Sequence, residues 1–178
     1  GTMKKLIVLV LLAAAVVSCQ KKEEPKSQYQ FPTGPVQTGP IHDETAMLKE
    51  VVKNDPKNVA AWIKLGNAMM DTSRFSEAID AYQKALALEP KNVDVRVDMG
   101  TCYRNSGRPD LAVKEYRKAI EIDPNHPNAH RNLGVVLADN LKDNVQAVKE
   151  FEKYLQLVPN APDAPTIRNL MQQLKAAK

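Results

Sequence analysis

From residue 45 onward, apolar side chains recur at every third or fourth position, the spacing that lines one face of an α-helix. The periodic stretches are short and follow one another closely. One helix is predicted over Val59–Asp71 and a second over Phe75–Leu88, and similar pairs follow along the chain. Residues 45–54 (TAMLKEVVKN) have the same character, and the spacing turns Leu48 and Val51 inward. Residues 163–177 put Ile167, Leu170, Met171 and Leu174 on one side and Arg168, Gln172 and Lys175 on the other, the pattern of a helix that covers a core and faces water. Two segments break the periodicity. Residues 6–17 form an unbroken apolar run of 12 residues after Lys4 and Lys5. Residues 20–41 carry Pro25, Pro32, Gly34, Pro35, Gly39 and Pro40 among polar residues, the composition of a tether.

The periodic part repeats. Pro56, Pro90, Pro124 and Pro159 are spaced 34, 34 and 35 residues apart. In that register Leu65, Met99 and Leu133 align, as do Gly66, Gly100 and Gly134. Allowing one extra residue in the last interval, Ala78, Ala112 and Ala147 align, and so do Tyr82, Tyr116 and Phe151. Small residues at these places let two helices approach closely. Each proline closes a unit because it cannot continue a helix. Asn58 and Asn92 then stand where the next helix needs an N-cap, and Pro127 stands at a first helical position, where its missing N–H costs nothing.

The residues Trp62-x-x-Leu65-Gly66, then Ala78-x-x-x-Tyr82-x-x-Ala85 and Pro90, resemble the tetratricopeptide repeat (TPR). The resemblance implies an all-α solenoid of helical hairpins in a right-handed superhelix. Its repeats would run about 59–92, 93–126 and 127–160, within a domain spanning 43–178. Residues 45–54 would be the second half of a unit, and 163–177 a capping helix. The third unit departs from the pattern. It has an insertion at 140–144, and Tyr154 stands where Ala85 and Ala119 are small, so its second helix is expected to tilt or to leave a gap that the ring fills. The glycine usual in the mid-unit turn occurs only as Gly107, with Ser73 in its place in the first unit.

In proteins of this kind the first helices of successive units line a concave groove that holds a peptide or protein. Carried onto this chain, the groove residues expected to touch a partner are Ile63, Asn67, Met70, Val97, Thr101, Arg104, Arg131 and Val135. Some relatives grip a C-terminal carboxylate there with lysines, an arginine and asparagines. Only Asn67 fits that set, with Ile63, Asp98, Asn128 and Asn132 at the other positions, so recognition of that type is not expected.

The N-terminal region reads as an address. Twelve apolar residues are too few for a bilayer span, which needs roughly 20, and suit a signal-peptide core. The run ends in Val16-Val17-Ser18-Cys19, which resembles the lipobox of bacterial lipoproteins. That resemblance implies removal of residues 1–18 and lipidation of Cys19, with 19–42 as the tether. Gly1 and Thr2, ahead of Met3, are read as a scar. Two or more acyl chains hold a protein firmly, since burial is worth about 0.8 kcal/mol per CH₂. Gln20, rather than an aspartate, favours the periplasmic face of the outer membrane.

Composition excludes more than it adds. The formal charge of +4 falls to +2 without Lys4 and Lys5, too little for the dense basic face that nucleic-acid binding needs. If Cys19 carries lipid, Cys102 has no partner for a disulfide. His126 and His130 are four apart, a spacing that can bring two imidazoles to one metal, but Pro127 lies between them and no third ligand is evident. No phosphate loop, nucleophile elbow or acid–base carboxylate pair is present. The expectation is therefore a non-enzymatic adapter with no cofactor and no metal, bound to the envelope and recruiting a protein partner. Two alternatives stand beside it. One is an accessory metal- or redox-handling subunit using His126, His130 and Cys102. The other is a structural lipoprotein that self-associates through its tether or capping helix.

Overall fold

The computed structural model describes residues 44–177. The expected signal peptide, Cys19 and the expected tether lie outside the described residues. Eight helices follow in order among those described: α1 (Glu44–Asn54), α2 (Val59–Asp71), α3 (Phe75–Leu88), α4 (Val93–Asn105), α5 (Pro109–Ile122), α6 (Pro127–Asp139), α7 (Asn144–Leu157) and α8 (Ala164–Ala176). Helices α2/α3, α4/α5 and α6/α7 pair as hairpins, and each second helix also packs on the first helix of the next hairpin. The result is the all-α hairpin solenoid implied by the repeat.

The caps form as the sequence predicts. The Asn58 side chain accepts from the Ala61 N–H at 2.9 Å and the Asn92 side chain from the Val95 N–H at 3.2 Å. In the third unit His126 takes this place, its Nδ1 accepting from the Ala129 N–H at 3.2 Å. Each hairpin is held shut by an aromatic ring lying on a glycine. A Cβ on Gly66 would stand 2.4 Å from the Tyr82 ring, and one on Gly100 or Gly134 would stand 2.6 Å from Tyr116 or Phe151. These rings are at most 1% exposed, so they form the core of their hairpins. Burying each is worth about 1.5–3 kcal/mol.

The turn between the helices of a hairpin needs one left-handed residue. Gly107 supplies it at φ +74°, Ser73 at +58° and Lys142 at +57°. Bulkier residues accept that region at a cost of roughly 1–2 kcal/mol, which the packed hairpin overcomes. The inserted residue is absorbed in this turn. The closing bonds run from the Arg74 N–H to the Met69 carbonyl and from the Arg108 N–H to the Tyr103 carbonyl, but from the Asp143 N–H one residue further back, to the Leu137 carbonyl. Tyr154 does fill its position with its ring, 5% exposed, and donates its hydroxyl to Asp163 at 2.6 Å.

A second repeating contact ties each hairpin to the loop before it. The Trp62 Nε1–H donates to the Pro56 carbonyl at 2.9 Å, Arg96 Nη2 donates to that of Pro90 at 2.8 Å, and His130 Nε2 lies 2.9 Å from that of Pro124. Opposite these residues, the second helices carry Ala81, Glu115 and Glu150. Arg96 meets Glu115 at 2.8 Å and His130 meets Glu150 at 2.7 Å. The residue that faces Trp62 is thus small, whereas the two basic side chains face carboxylates.

One assignment needs correction. On α1 the inward residues are Thr45 and Val52, with Leu48 partly covered, while Val51 is 42% exposed. Val51 stands one period before Ala85, a residue that faces the first helix of its own hairpin. Among the described residues α1 has no such helix, so this face is left to solvent.

Candidate partner-binding groove

Helices α2, α4 and α6 form the inner layer, and α4 touches α6 directly across the hairpin boundary. The side chains predicted to line the groove divide into two groups. Ile63, Met70 and Val135 are partly covered, resting on the core with one edge free. Arg104 is also partly free, 3.7 Å from Asp139 on α6. These four remain open to a guest.

The other four have work inside the fold. Val97 is 4% exposed and belongs to the core, so it offers a partner almost nothing. Asn67 Oδ1 accepts the Tyr82 hydroxyl at 2.8 Å. Thr101 donates to the Val97 carbonyl at 3.1 Å and so receives the Tyr116 hydroxyl, also at 3.1 Å. A buried hydroxyl needs a partner. Accordingly Asn67 faces Tyr82 and Thr101 faces Tyr116, while Val135 stands in the unit whose ring is Phe151. Arg131 donates through Nε to Asp163, which also accepts from Tyr154, so this arginine ties α6 and α7 to the start of α8. The Tyr154 hydroxyl is the first cause that holds the Asp163 carboxyl below its usual range.

The sequence reading missed Asp98 as a candidate. It lies half-buried on α4, and no hydrogen bond reaches its carboxylate among the described residues. Burial, then the neighbouring Asp94 carboxylate, pushes it up to about 6 from 3.8, with His126 pulling the other way and Asp71 adding a further push. The folded chain therefore holds an extra proton between about pH 4 and 6, and stability falls as pH rises through that window. Asp98→Asn is expected to stabilise the chain by about 1 kcal/mol at pH 7 and to change little at pH 4, as read by urea denaturation of both chains at each pH. Equal effects at the two pH values would refute the assignment. The signal in the sequence is an aspartate at a groove position where Lys64 and Asn132 stand in the neighbouring units.

The histidines do not converge. His126 Nε2 lies 2.9 Å from Asp94, and its Nδ1 caps α6. Both ring nitrogens of His130 are engaged, by Glu150 and by the Pro124 carbonyl. Cys102 is fully buried, and burial is the main cause that pushes its thiol up to about 12, opposite to what a reactive cysteine needs. No group of three or more metal-capable side chains occurs among the described residues, and none of the described helices is long and apolar enough to cross a membrane.

Stacked hairpins with a glycine–aromatic lock and an inner layer of first helices define a TPR solenoid, a protein-interaction scaffold. A family model described as the cytochrome c-type biogenesis protein H TPR domain matches residues 34–164, and the chain belongs to that family. No curated protein matches it in sequence. Among solved structures it is similar to a crystal structure of MamA, with 24% identity and a TM-score of 0.68 over 74% of this chain and 77% of that one. A second MamA structure gives 24% and 0.67 over 74% and 72%. The first TPR of Spaghetti (RPAP3), bound to the HSP90 peptide SRMEEVD, gives 22% and 0.62 over 69% and 94%. At such identities these likenesses speak for the fold alone.

Proposed function

We propose that the chain is an adapter held on the bacterial envelope by lipid at Cys19, with 19–42 as its tether, and that it binds a protein segment along the inner layer. The observation that carries this reading is the row of partly free apolar side chains, Ile63, Met70 and Val135, with Asp98 and Arg104 beside it. Apolar contacts would hold the segment, and the charged pair would fix its direction. Asp98 favours a segment with a basic residue, because ionisation of a half-buried carboxylate is easier next to a cation. Membership of a family named for cytochrome c-type biogenesis makes the apparatus that assembles c-type cytochromes the first set of partners to examine. The metal- and redox-handling alternative gains no support, since its histidines and cysteine are engaged in packing and capping.

The test is site-specific photo-crosslinking in intact cells. A crosslinker at Met70 or Val135 is expected to capture one defined protein that a crosslinker at Lys84 or Lys114, both exposed on second helices, does not. The same products from all four sites would sink the groove reading. Asn67 and Arg131 are poor probes, because removing either disturbs the fold. Independently, Cys19→Ser is expected to move the protein from the membrane fraction to the soluble one.

A further inference from the structure

One place recurs in all three hairpins, and the hydrogens offered there match the acceptors around it. In the first, Trp62 has one ring N–H, which goes to the Pro56 carbonyl, and Ala81 opposite it accepts nothing. In the second, Arg96 donates twice, to the Pro90 carbonyl and to Glu115, each at 2.8 Å. In the third, His130 meets the same two kinds of acceptor: Nε2 lies 2.9 Å from the Pro124 carbonyl and Nδ1 lies 2.7 Å from Glu150 Oε2. A carbonyl oxygen only accepts, so Nε2 carries a hydrogen. A neutral imidazole then has none left for Nδ1, whose lone pair would face an ionised carboxylate. With the ring 6% exposed, little water is present to separate two such acceptors. One proton therefore lies between Nδ1 and Oε2. Imidazole is the stronger base of the two by about two pH units in model peptides, which leaves that proton on the ring.

We propose that His130 is an imidazolium that bridges Glu150 and the Pro124 carbonyl as Arg96 bridges Glu115 and that of Pro90, and that this bridge makes the third hairpin a pH-released copy of the second. His126, four residues earlier, has the opposite need. Its Nδ1 accepts from the Ala129 N–H and so bears no hydrogen, while Nε2 donates to Asp94. The charged groups around His130 are few. Glu150 and Lys153 come from α7; by the repeat register, Arg117 on α5 and Lys149 on α7 stand where Lys49 and Asp80 edge the Trp62 site. In the second hairpin Lys118 reaches Glu115 at 3.2 Å, but Lys153 turns to Asn125 at 3.2 Å. Among the described residues, no hydrogen bond besides that of His130 reaches the Glu150 carboxylate. Arg117 and Lys149 are exposed and screened by water, so they oppose a charged ring less than the touching carboxylate favours it. Below about pH 6.5 a histidine of the unfolded chain is itself protonated, and pH does not move the bridge. Above that, folding takes up a proton, so stability falls as pH rises until the bridge is released. The second hairpin does not respond, because a guanidinium keeps its charge. Arg131, next along α6, holds Asp163 at the start of α8, so the loosening reaches the last of the described helices.

The test uses the full chain in detergent, labelled with ¹⁵N. Long-range proton–nitrogen spectra distinguish a protonated ring nitrogen from a bare one, and His126→Asn and His130→Arg assign the signals. At pH 7.5 His130 is expected with both nitrogens protonated and His126 with Nε2 alone. A neutral His130, or two histidines in the same state, would overturn the proposal. Urea denaturation at pH 7 and pH 9 reads the release. Between them the folded-to-unfolded ratio should fall at least about fivefold more in the unchanged chain than in His130→Arg, whose charge does not titrate there. Glu150→Gln, at a partly exposed site, is a second control. Its amide N–H can donate to Nδ1, so a neutral ring suffices and the fall should be as small as in His130→Arg. The same fall in all three chains would also overturn it.

Discussion

Truncating Tyr116 to alanine is expected to destabilise the repeat domain by about 3–5 kcal/mol, the largest loss from any single side chain named here. The ring is 1% exposed and lies over Gly100 in the middle hairpin. Neighbouring hairpins pack on both sides of it, so the hole has little room to collapse. A solenoid passes stability from unit to unit, and a weakened middle hairpin uncouples both ends. For a folded domain of this size the fall in Tm is roughly 10–15 °C. Tyr116→Phe removes only the hydroxyl bonded to Thr101 and should cost about 0.5–1.5 kcal/mol. Thermal unfolding of the two variants checks both values. A loss below about 1 kcal/mol for the alanine change would mean that the ring does not hold the hairpin.

Arg96→Ala is expected to cost about 2–4 kcal/mol. Arg96 and Glu115 are 13% and 10% exposed in their side chains, and removing the arginine strands a carboxylate away from water. It also removes the bond to the Pro90 carbonyl. Lys118, 3.2 Å from Glu115 and itself 42% exposed, tempers the loss. The first hairpin shows how to undo the damage. There Trp62 holds the proline carbonyl and faces Ala81, so Arg96→Trp with Glu115→Ala should recover most of the stability. If urea denaturation shows the double change as weak as Arg96→Ala, the position does not exchange between units in this way.

Much of the fold was legible because the determining interactions recur. The proline period, the glycine–aromatic pairs and the asparagine caps each act over one or two helices, so their spacing carries them. Helix bounds for α2 and α3 could be read for the same reason. The groove was read less well. Periodicity places Asn67, Thr101 and Arg131 on the inner layer, but it does not say that buried hydroxyls and Asp163 already occupy them. The pairing of Asn67 with Tyr82 and of Val135 with Phe151 was present in the aligned units as a polar–polar and an apolar–apolar match. Val97 shows the converse, a groove position that the core absorbs.

The sequence alone determined that residues 59–160 form stacked hairpins, because each amphipathic pair must bury a face and the same solution repeats every 34 residues or so. Tertiary structure alone decided which face of α1 turns inward, which groove side chains remain free, and that Asp98 lies half-buried without a hydrogen bond. The physical reason is the range of the forces involved. A helix and its cap depend on neighbours within a few positions along the chain. Exposure, and the choice of hydrogen-bond partner, depend on which helices are present to cover a residue, and these come from units 30 or more residues away along the chain.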